Sequence, residues 1–299
     1  MEDRVFVILG ASGKVGRSTI AALRREGAPV RAVVRDGSKA APLAALGCEI
    51  AVADLQDAPG LAEAMRGASA VQVICPVFTR FDDATTEMTR SITATVEALE
   101  SVRPPAVLAI SDYGAERSGG TGVTVLFHIL EQHLLRLSTR LVLLRSAEHM
   151  ENWSRVIGAV SRSGVLASLH HPLTKLFPTV AASDVGLVAA DLLSSPAGSA
   201  ASVRTVHVEG PRRYAAADVA QVLSLLLSRG VSARELPRSE WAAALSRGGL
   251  SISYARLVTE LYEAHNAGLI DARPGVDEIC YGRTDLVEAL GPVVLAASA

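Results

Sequence analysis

The sequence predicts an α/β fold: a doubly wound parallel sheet followed by a smaller, mostly helical C-terminal portion. Three observations carry this reading. Short apolar runs alternate with amphipathic segments through the first 150 residues. The connections between them are short, as right-handed crossovers between parallel strands allow. A glycine-rich turn, Gly10-Ala11-Ser12-Gly13-Lys14-Val15-Gly16, joins the first apolar run to the first amphipathic one.

Residues 5–9 read as a buried strand. Residues 12–25 read as a helix, with Val15, Ile20 and Leu23 on one side and Arg17, Arg24 and Arg25 on the other. Further strands are expected at 30–34, 49–53, 71–74, 106–110 and 141–144. Helices are expected at 38–46, 61–65, 85–100 and 125–137, the first closed by Gly47 as a left-handed stop. After residue 145 the rhythm loosens. Residues 206–208 and 216–227 read as a βα unit feeding the main sheet, 241–245 and 254–265 as helices, and the Ala/Ser-rich stretch 194–202 as a surface loop.

Composition narrows the function classes. The chain has 299 residues, 49 % apolar and 20 % charged, which suits a globular protein with a sizeable core. A net charge of −2 and 4 % aromatic residues argue against nucleic acid as a partner. Cys48, Cys75 and Cys280 stand far apart, without disulfide or zinc spacing. That pattern suits a reducing compartment, so a cytoplasmic location is expected. No signal-peptide order is read at the N-terminus, and no membrane-length apolar run.

The glycine turn follows a strand and opens a helix, the context that gives such a motif meaning. Gly10, Gly13 and Gly16 permit a tight turn and a close backbone approach to a pyrophosphate. Ser12, Lys14 and Val15 complete the loop and the helix N-terminus, whose N–H groups favour an anion. A Rossmann-type NAD(P) domain is therefore expected over residues 1–150. Residues 151–299 form the substrate-binding portion, with elements near 179–193 and 204–229 returning to the Rossmann sheet. At the end of the second strand stand Arg35 and, further on, Lys39, two cations that suit a 2′-phosphate and hence NADP(H). Asp36 as a ribose acceptor would instead give NAD(H). Asp54 and Leu55 close the third strand, where Asp54 borders the adenine or serves as a plain turn residue. Cys75-Pro76 after the fourth strand are expected to line the nicotinamide ribose.

These residues carry a resemblance. Val7 to Gly16, Val30 to Asp36 with Lys39, and Val52 to Asp57 look like the NmrA-like group of atypical short-chain dehydrogenases/reductases. Further matches follow in order: Ser111 with Tyr113-Gly114-Ala115, Glu131, Leu144-Arg145, Met150-Glu151-Asn152, Ser183-Asp184-Val185 and Glu209-Gly210-Pro211. The resemblance spans roughly residues 4–240. It implies a Rossmann domain with a smaller C-terminal substrate domain. Its members include quinone, azo-dye and isoflavone-type reductases, and also redox sensors that bind NADP without turnover.

The wider superfamily works with Ser, Tyr and Lys. Ser111 stands where that Ser belongs. Val123 and Thr124 are near the Tyr place, and Phe127 holds the Lys place, so the Tyr-x-x-x-Lys pair is absent. Substitutes are Tyr113, on a loop expected to face the nicotinamide, and His128, one turn from Glu131. A helix-surface role is the plain alternative for His128. His149 is a pocket candidate, and Asn152 and Trp153 resemble the family's pocket wall. Adjacent His170 and His171 suit a loop rather than a metal site, and no metal site is expected. Asp184 is expected to cap a helix.

The expected function is an NADPH-dependent reductase, an oxidoreductase passing hydride to a conjugated carbonyl or quinone-like small aromatic molecule. The rival reading is a non-catalytic NADP(H)-binding redox sensor; a dehydratase or isomerase with a structural cofactor is a third. No nucleic acid or membrane partner is expected. A homodimer through helices 85–100 and 125–137 is open.

Overall fold

The computed structural model describes residues 4–195, 202–273, 275 and 277–298. The chain begins β1 (Phe6–Ile8), α1 (Lys14–Arg25), β2 (Val30–Val34), α2 (Ala41–Ala45), β3 (Glu49–Val52) and α3 (Ala58–Met65). Next come β4 (Ala70–Ile74), α4 (Ala84–Val102), β5 (Ala106–Asp112), α5 (Thr124–Leu134), β6 (Arg140–Ser146), β7 (Glu148–His149) and α6 (Ser154–Ser163). Then follow β8 (Val165–Ser168), β9 (Thr179–Val180), α7 (Ala182–Ser194), β10 (Val203–Glu209), α8 (Ala216–Leu226) and β11 (Ser232–Glu235). The last elements are α9 (Trp241–Arg247), α10 (Ile252–Asn266), β12 (Ile279–Tyr281) and α11 (Leu286–Ser298).

Eight of these strands form one parallel sheet, in the order β12-β10-β6-β5-β4-β1-β2-β3. The order reverses between β1 and β4, which opens the crevice where doubly wound folds bind ligands. Both faces are covered, and β1 shows why its residues are apolar throughout. Phe6 and Ile8 pack on the face that holds α1 and α7, whereas Val7 and Leu9 pack on the face that holds α3, α4 and α5. A third core joins Ile157 and Val160 of α6 to Leu223 of α8 and Leu290 of α11.

Helix α7 comes from the second half of the chain yet lies against α1. A Cβ on Gly186 would stand 2.5 Å from Ser18 Cβ and 2.6 Å from Val15 O, so glycine is what permits this approach. Ser18 Oγ donates to Ser183 O at 2.6 Å across the same contact.

Several boundaries differ from the sequence expectation. The helix expected over 38–46 is split into a 3₁₀ turn, Gly37–Lys39, and α2. Asp36 accepts from Ser38 N and caps the turn, and Pro42 then starts α2 without needing an N–H donor. Helix α3 starts at Ala58 because Asp57 accepts from Gly60 N and Pro59 fits the first turn. Helices α6 and α11 and strands β7, β8, β9, β11 and β12 were not expected. Those strands are two to four residues long, too short for a period-2 pattern to show. Of the loop expected over 194–202, residues 196–201 lie outside the described residues.

Candidate active site

The phosphate loop takes its shape from backbone contacts. Gly13 N donates to Gly10 O at 3.0 Å, and Arg17 N donates to Gly13 O at 2.9 Å. Gly16 packs so closely that a Cβ there would stand 2.6 Å from Gly10 O. Helix α1 begins at Lys14 with no side-chain cap and no acidic residue in its first turn. Its N-terminal N–H groups and partial positive charge are therefore left for an anion.

A cleft of about 280 Å³ lies beside this loop. Gly10, Ser12, Gly13, Arg35, Lys39, Asp54, Leu55 and Pro76, all expected on sequence grounds to bind a cofactor, line it together. Val33, Val34, Ile74 and Phe78 supply apolar walls. Phe78 was missed; its only signal is an apolar position just after Cys75-Pro76.

The electrostatics at the end of β2 are informative. Asp36 Oδ1 accepts from Ser38 N at 2.9 Å and Oδ2 from Ser38 Oγ at 2.7 Å. These bonds, the side-chain one first, lower its pKa, and both carboxylate oxygens are engaged. Arg35 and Lys39 are exposed, and neither side chain has an ion-pair or hydrogen-bond partner among the described residues. Two unpaired cations on a glycine-lined cleft fit a dinucleotide carrying a 2′-phosphate. Asp54 Oδ1 accepts from Gln56 N at 2.9 Å, so it is a turn residue as well as a cleft residue.

Cys75 corrects one expectation. Its side chain is 4 % exposed and packs in the core on the α3–α4 face, and burial pushes its thiol up to about 12. The residues on either side, Ile74 and Pro76, face the cleft in its place. Lys14, Val15 and Gly16 do not line the cleft. Val15 is buried in the core with Ile20 and Leu23, and Lys14 is exposed.

The expected catalytic residues each have partners of their own. Ser111 Oγ donates to Glu131 Oε1 at 2.6 Å. Arg145 grips the same carboxylate with two bonds, Nε to Oε1 at 2.9 Å and Nη2 to Oε2 at 2.7 Å. The Ser111 hydroxyl proton is thus committed to a buried, charge-paired carboxylate. Tyr113 does not lie on an open loop. It is 1 % exposed, its ring meets His207 edge-on at 5.1 Å, and its hydroxyl points to Glu209 at 3.5 Å. Burial and then the Glu209 charge push its pKa further up. The apolar pull of that layer outweighs the exposure expected of a loop residue.

His128 Nδ1 lies 2.8 Å from Ala115 O. A carbonyl only accepts, so Nδ1 carries the proton, and Nε2 has no hydrogen-bond partner among the described residues. His128 is therefore a half-buried pin for the loop after β5, not a plain surface residue. His149, half-buried after β6, lies 3.2 Å through Nε2 from Ser146 Oγ. Its pKa is lowered by burial, which outweighs the opposing charges of Glu151 and Glu148. Asn152 is half-buried in a 3₁₀ turn, Met150–Trp153. Trp153 is a core residue at 7 % exposure, packed on Phe177 in the third cluster, so it is not an open pocket wall.

A polar cluster that the sequence did not suggest lies just beyond. Glu148 Oε2 pairs with His170 Nε2 at 3.0 Å, and Tyr262 OH donates to Oε1 at 2.9 Å. Burial opposes ionisation of Glu148, yet the His170 bond and charge and the neighbouring His265 bring its carboxyl down to about 2. His170 stacks on Phe177 at 3.6 Å, and His171 Nε2 bonds Ser168 O at 3.1 Å. Glu148 and Tyr262 lie 114 positions apart, so no local pattern could have joined them. Asp184 is also corrected. It does not cap α7; Glu151 does, its carboxylate accepting from Ala182 N at 3.1 and 3.2 Å.

Comparisons with known proteins agree with this geometry. Residues 10–150 match a family model described as NAD(P)H-binding. An NAD(P)H azoreductase from Xenophilus azovorans is 22 % identical over 277 residues, covering 91 % of this chain and 92 % of that one. In structure the chain is similar to a triphenylmethane reductase from Citrobacter sp., with a TM-score of 0.77, 19 % identity, and 98 % and 99 % of the two chains covered. It is equally similar to an NADPH-dependent quinone oxidoreductase from Escherichia coli solved with NADPH, with a TM-score of 0.77, 20 % identity, and 98 % and 100 % covered. The fold resemblance thus runs the whole length of the chain. Among the described residues no helix is long and apolar enough to cross a membrane.

Proposed function

We propose, from the premise that residues 10–150 form an NAD(P)H-binding domain of the matched family, that the chain is an NADPH-dependent reductase of quinone-like or conjugated carbonyl compounds. The observation that carries the cofactor choice is the unpaired Arg35 and Lys39 on the cleft, beside an Asp36 already engaged by Ser38. Gly10, Ser12 and Gly13 would hold the pyrophosphate against the α1 N-terminus. Arg35 and Lys39 would hold the 2′-phosphate, and Asp54 and Leu55 would flank the base. Bound NADPH supplies a hydride for the acceptor. Reductase relatives and neighbours named for azo, triphenylmethane and quinone substrates support the substrate class. Conjugated acceptors spread the developing charge, which reduces the help needed from a Tyr–Lys pair.

A second reading has a specific observation in its favour. The committed Ser111 and the buried Tyr113 leave neither free to act on a carbonyl, as a non-catalytic NADP(H) sensor would tolerate. One assay separates the two: oxidation of NADPH and NADH with a panel of quinones, azo dyes and aromatic ketones. A reductase consumes NADPH only with an acceptor present. Loss of a charge-assisted phosphate contact in Arg35→Ala should raise KM for NADPH roughly ten- to a hundredfold and leave NADH nearly unchanged. Tight NADPH binding with no turnover on any acceptor would sink the reductase reading. Unaltered NADPH preference in Arg35→Ala would sink the phosphate assignment.

A further inference from the structure

The carboxyl edge of the sheet continues past the cofactor cleft to Asp112. It is the last residue of β5 and lies opposite Ser146, the last residue of β6. Its side chain is half-buried. Oδ2 accepts a bond from Thr124 Oγ1 at 2.7 Å, and Oδ1 has no side-chain donor among the described residues. Thr124 is the first residue of α5 and lies near the place where the superfamily's Tyr was expected.

Other acids at this edge are matched. Glu131 has Arg145 and Ser111, Glu148 has His170 and Tyr262, and Glu209 has Arg213. Asp112 has no cation within ion-pair distance among the described residues. The titratable groups that face it are Glu148 on β7, Glu131 on α5 and Tyr254 on α10, the last with Arg155 of α6 nearby. Burial, helped by the Glu148 and Glu131 charges, outweighs the Thr124 bond and the Tyr113 backbone N–H and raises its carboxyl to about 7. Glu148, about 2, and Asp112 thus form a pair of carboxyls driven apart by their surroundings, the usual mark of separate acid and base roles.

We propose that Asp112 is a catalytic proton donor of the reduction, with Thr124 as the residue that positions it. The proposal rests on the reductase reading. As hydride adds to the acceptor, its C=O π bond breaks and negative charge gathers on oxygen. Asp112 gives its proton to that oxygen, so one O–H bond breaks and another forms. Asp112 is left as a carboxylate, held by Thr124 Oγ–H, and regains a proton from water, which its partial exposure admits. Two electrons leave the nicotinamide and both end on the acceptor.

The test uses the full-length protein and two readouts. Infrared difference spectroscopy without cofactor follows the protonated carboxyl between about pH 5 and pH 9. The wild type should show a carboxylic acid band that disappears near neutrality and is missing from Asp112→Asn. Quinone reduction is measured beside NADPH affinity from fluorescence titration. Asp112→Asn, near-isosteric, should lose about 10²–10⁴-fold in kcat with NADPH affinity unchanged. Thr124→Val should lose about tenfold and move the infrared titration to higher pH. Turnover that survives Asp112→Asn, or an infrared band that does not depend on Asp112, overturns the proposal and leaves the reductase reading standing. A wild type that binds NADPH and reduces nothing overturns both.

Discussion

Asp184 and Thr284 are joined across one hundred positions: Asp184 Oδ2 accepts from Thr284 N at 2.8 Å and Oδ1 from Thr284 Oγ1 at 2.8 Å. Arg283 N donates to Oδ2 as well, at 2.8 Å. Asp184 is 4 % exposed, and α7, on which it stands, is packed against α1. One buried carboxylate therefore ties the segment between β12 and α11 to the layer that carries the phosphate loop.

Removing that carboxylate should loosen the tie locally. Asp184→Ala would leave the part-buried donors of Arg283 N, Thr284 N and Thr284 Oγ1 without their acceptor, at a cost of about 1–2 kcal/mol. Asp184→Asn, which keeps one carbonyl oxygen, should cost less. Denaturant unfolding gives the loss, and hydrogen exchange should speed up first in residues 279–286. Unchanged exchange there in Asp184→Ala would show that the bonds do not hold the segment.

The phosphate loop should tolerate no side chain at Gly16. In Gly16→Ala the new Cβ meets Gly10 O at 2.6 Å and the Ala11 Cα at 3.0 Å, so the first turn of α1 must shift. Overpacking of this kind costs about 1–3 kcal/mol. The same shift moves the N–H groups that face an anion, and NADPH affinity should fall by at least about tenfold. Thermal melting with and without NADPH reads both effects; full retention of the ligand-induced rise in Tm would refute the loop assignment.

Acid stability should follow Glu148. Its carboxyl is lowered from the ordinary 4.5 to about 2, so the folded state holds the ionised form more firmly than the unfolded chain does. The stability this contributes is present above about pH 4.5 and is lost as pH falls toward 2. Linkage puts it at roughly 3 kcal/mol. Asp112 has the opposite sign. Its raised carboxyl contributes stability that is full below about pH 4 and is lost as pH rises through 7. Glu148→Gln should flatten the acid limb of a stability–pH curve, and Asp112→Asn the limb between about pH 4 and 7. Limbs that do not respond to these substitutions would show that other groups set them.

Much of the fold was legible in order along the chain, because local physics sets it. Phe6, Val7, Ile8 and Leu9 read as a strand buried on both faces, and the structure packs them so. The residues singled out by the glycine spacing and the Arg35–Lys39 pair line one cleft together, since a βα turn is a contiguous object. Cys75 shows the limit: whether a residue at a strand end faces the cleft or the core turns on a one-residue alternation that the sequence leaves open.

The surroundings of the residues expected to be catalytic depended on contacts well apart in sequence. Ser111 stood where expected, but Glu131 and Arg145 decide what its hydroxyl does. Tyr113 has a polar tip and an apolar ring, and only the packing of His207 beside it settled that it is buried. Asp184 looked like a helix cap until Glu151 took that place and left it free to bind Arg283 and Thr284. The sequence by itself determined the alternating strands and helices and the glycine-rich turn between the first of them, because propensity, period and turn chemistry act over a few residues. Only the tertiary structure decided which carboxyls are paired with a cation and which are not. Most of these pairings join positions from a dozen to more than a hundred apart, and those distances exist only once the sheet has closed.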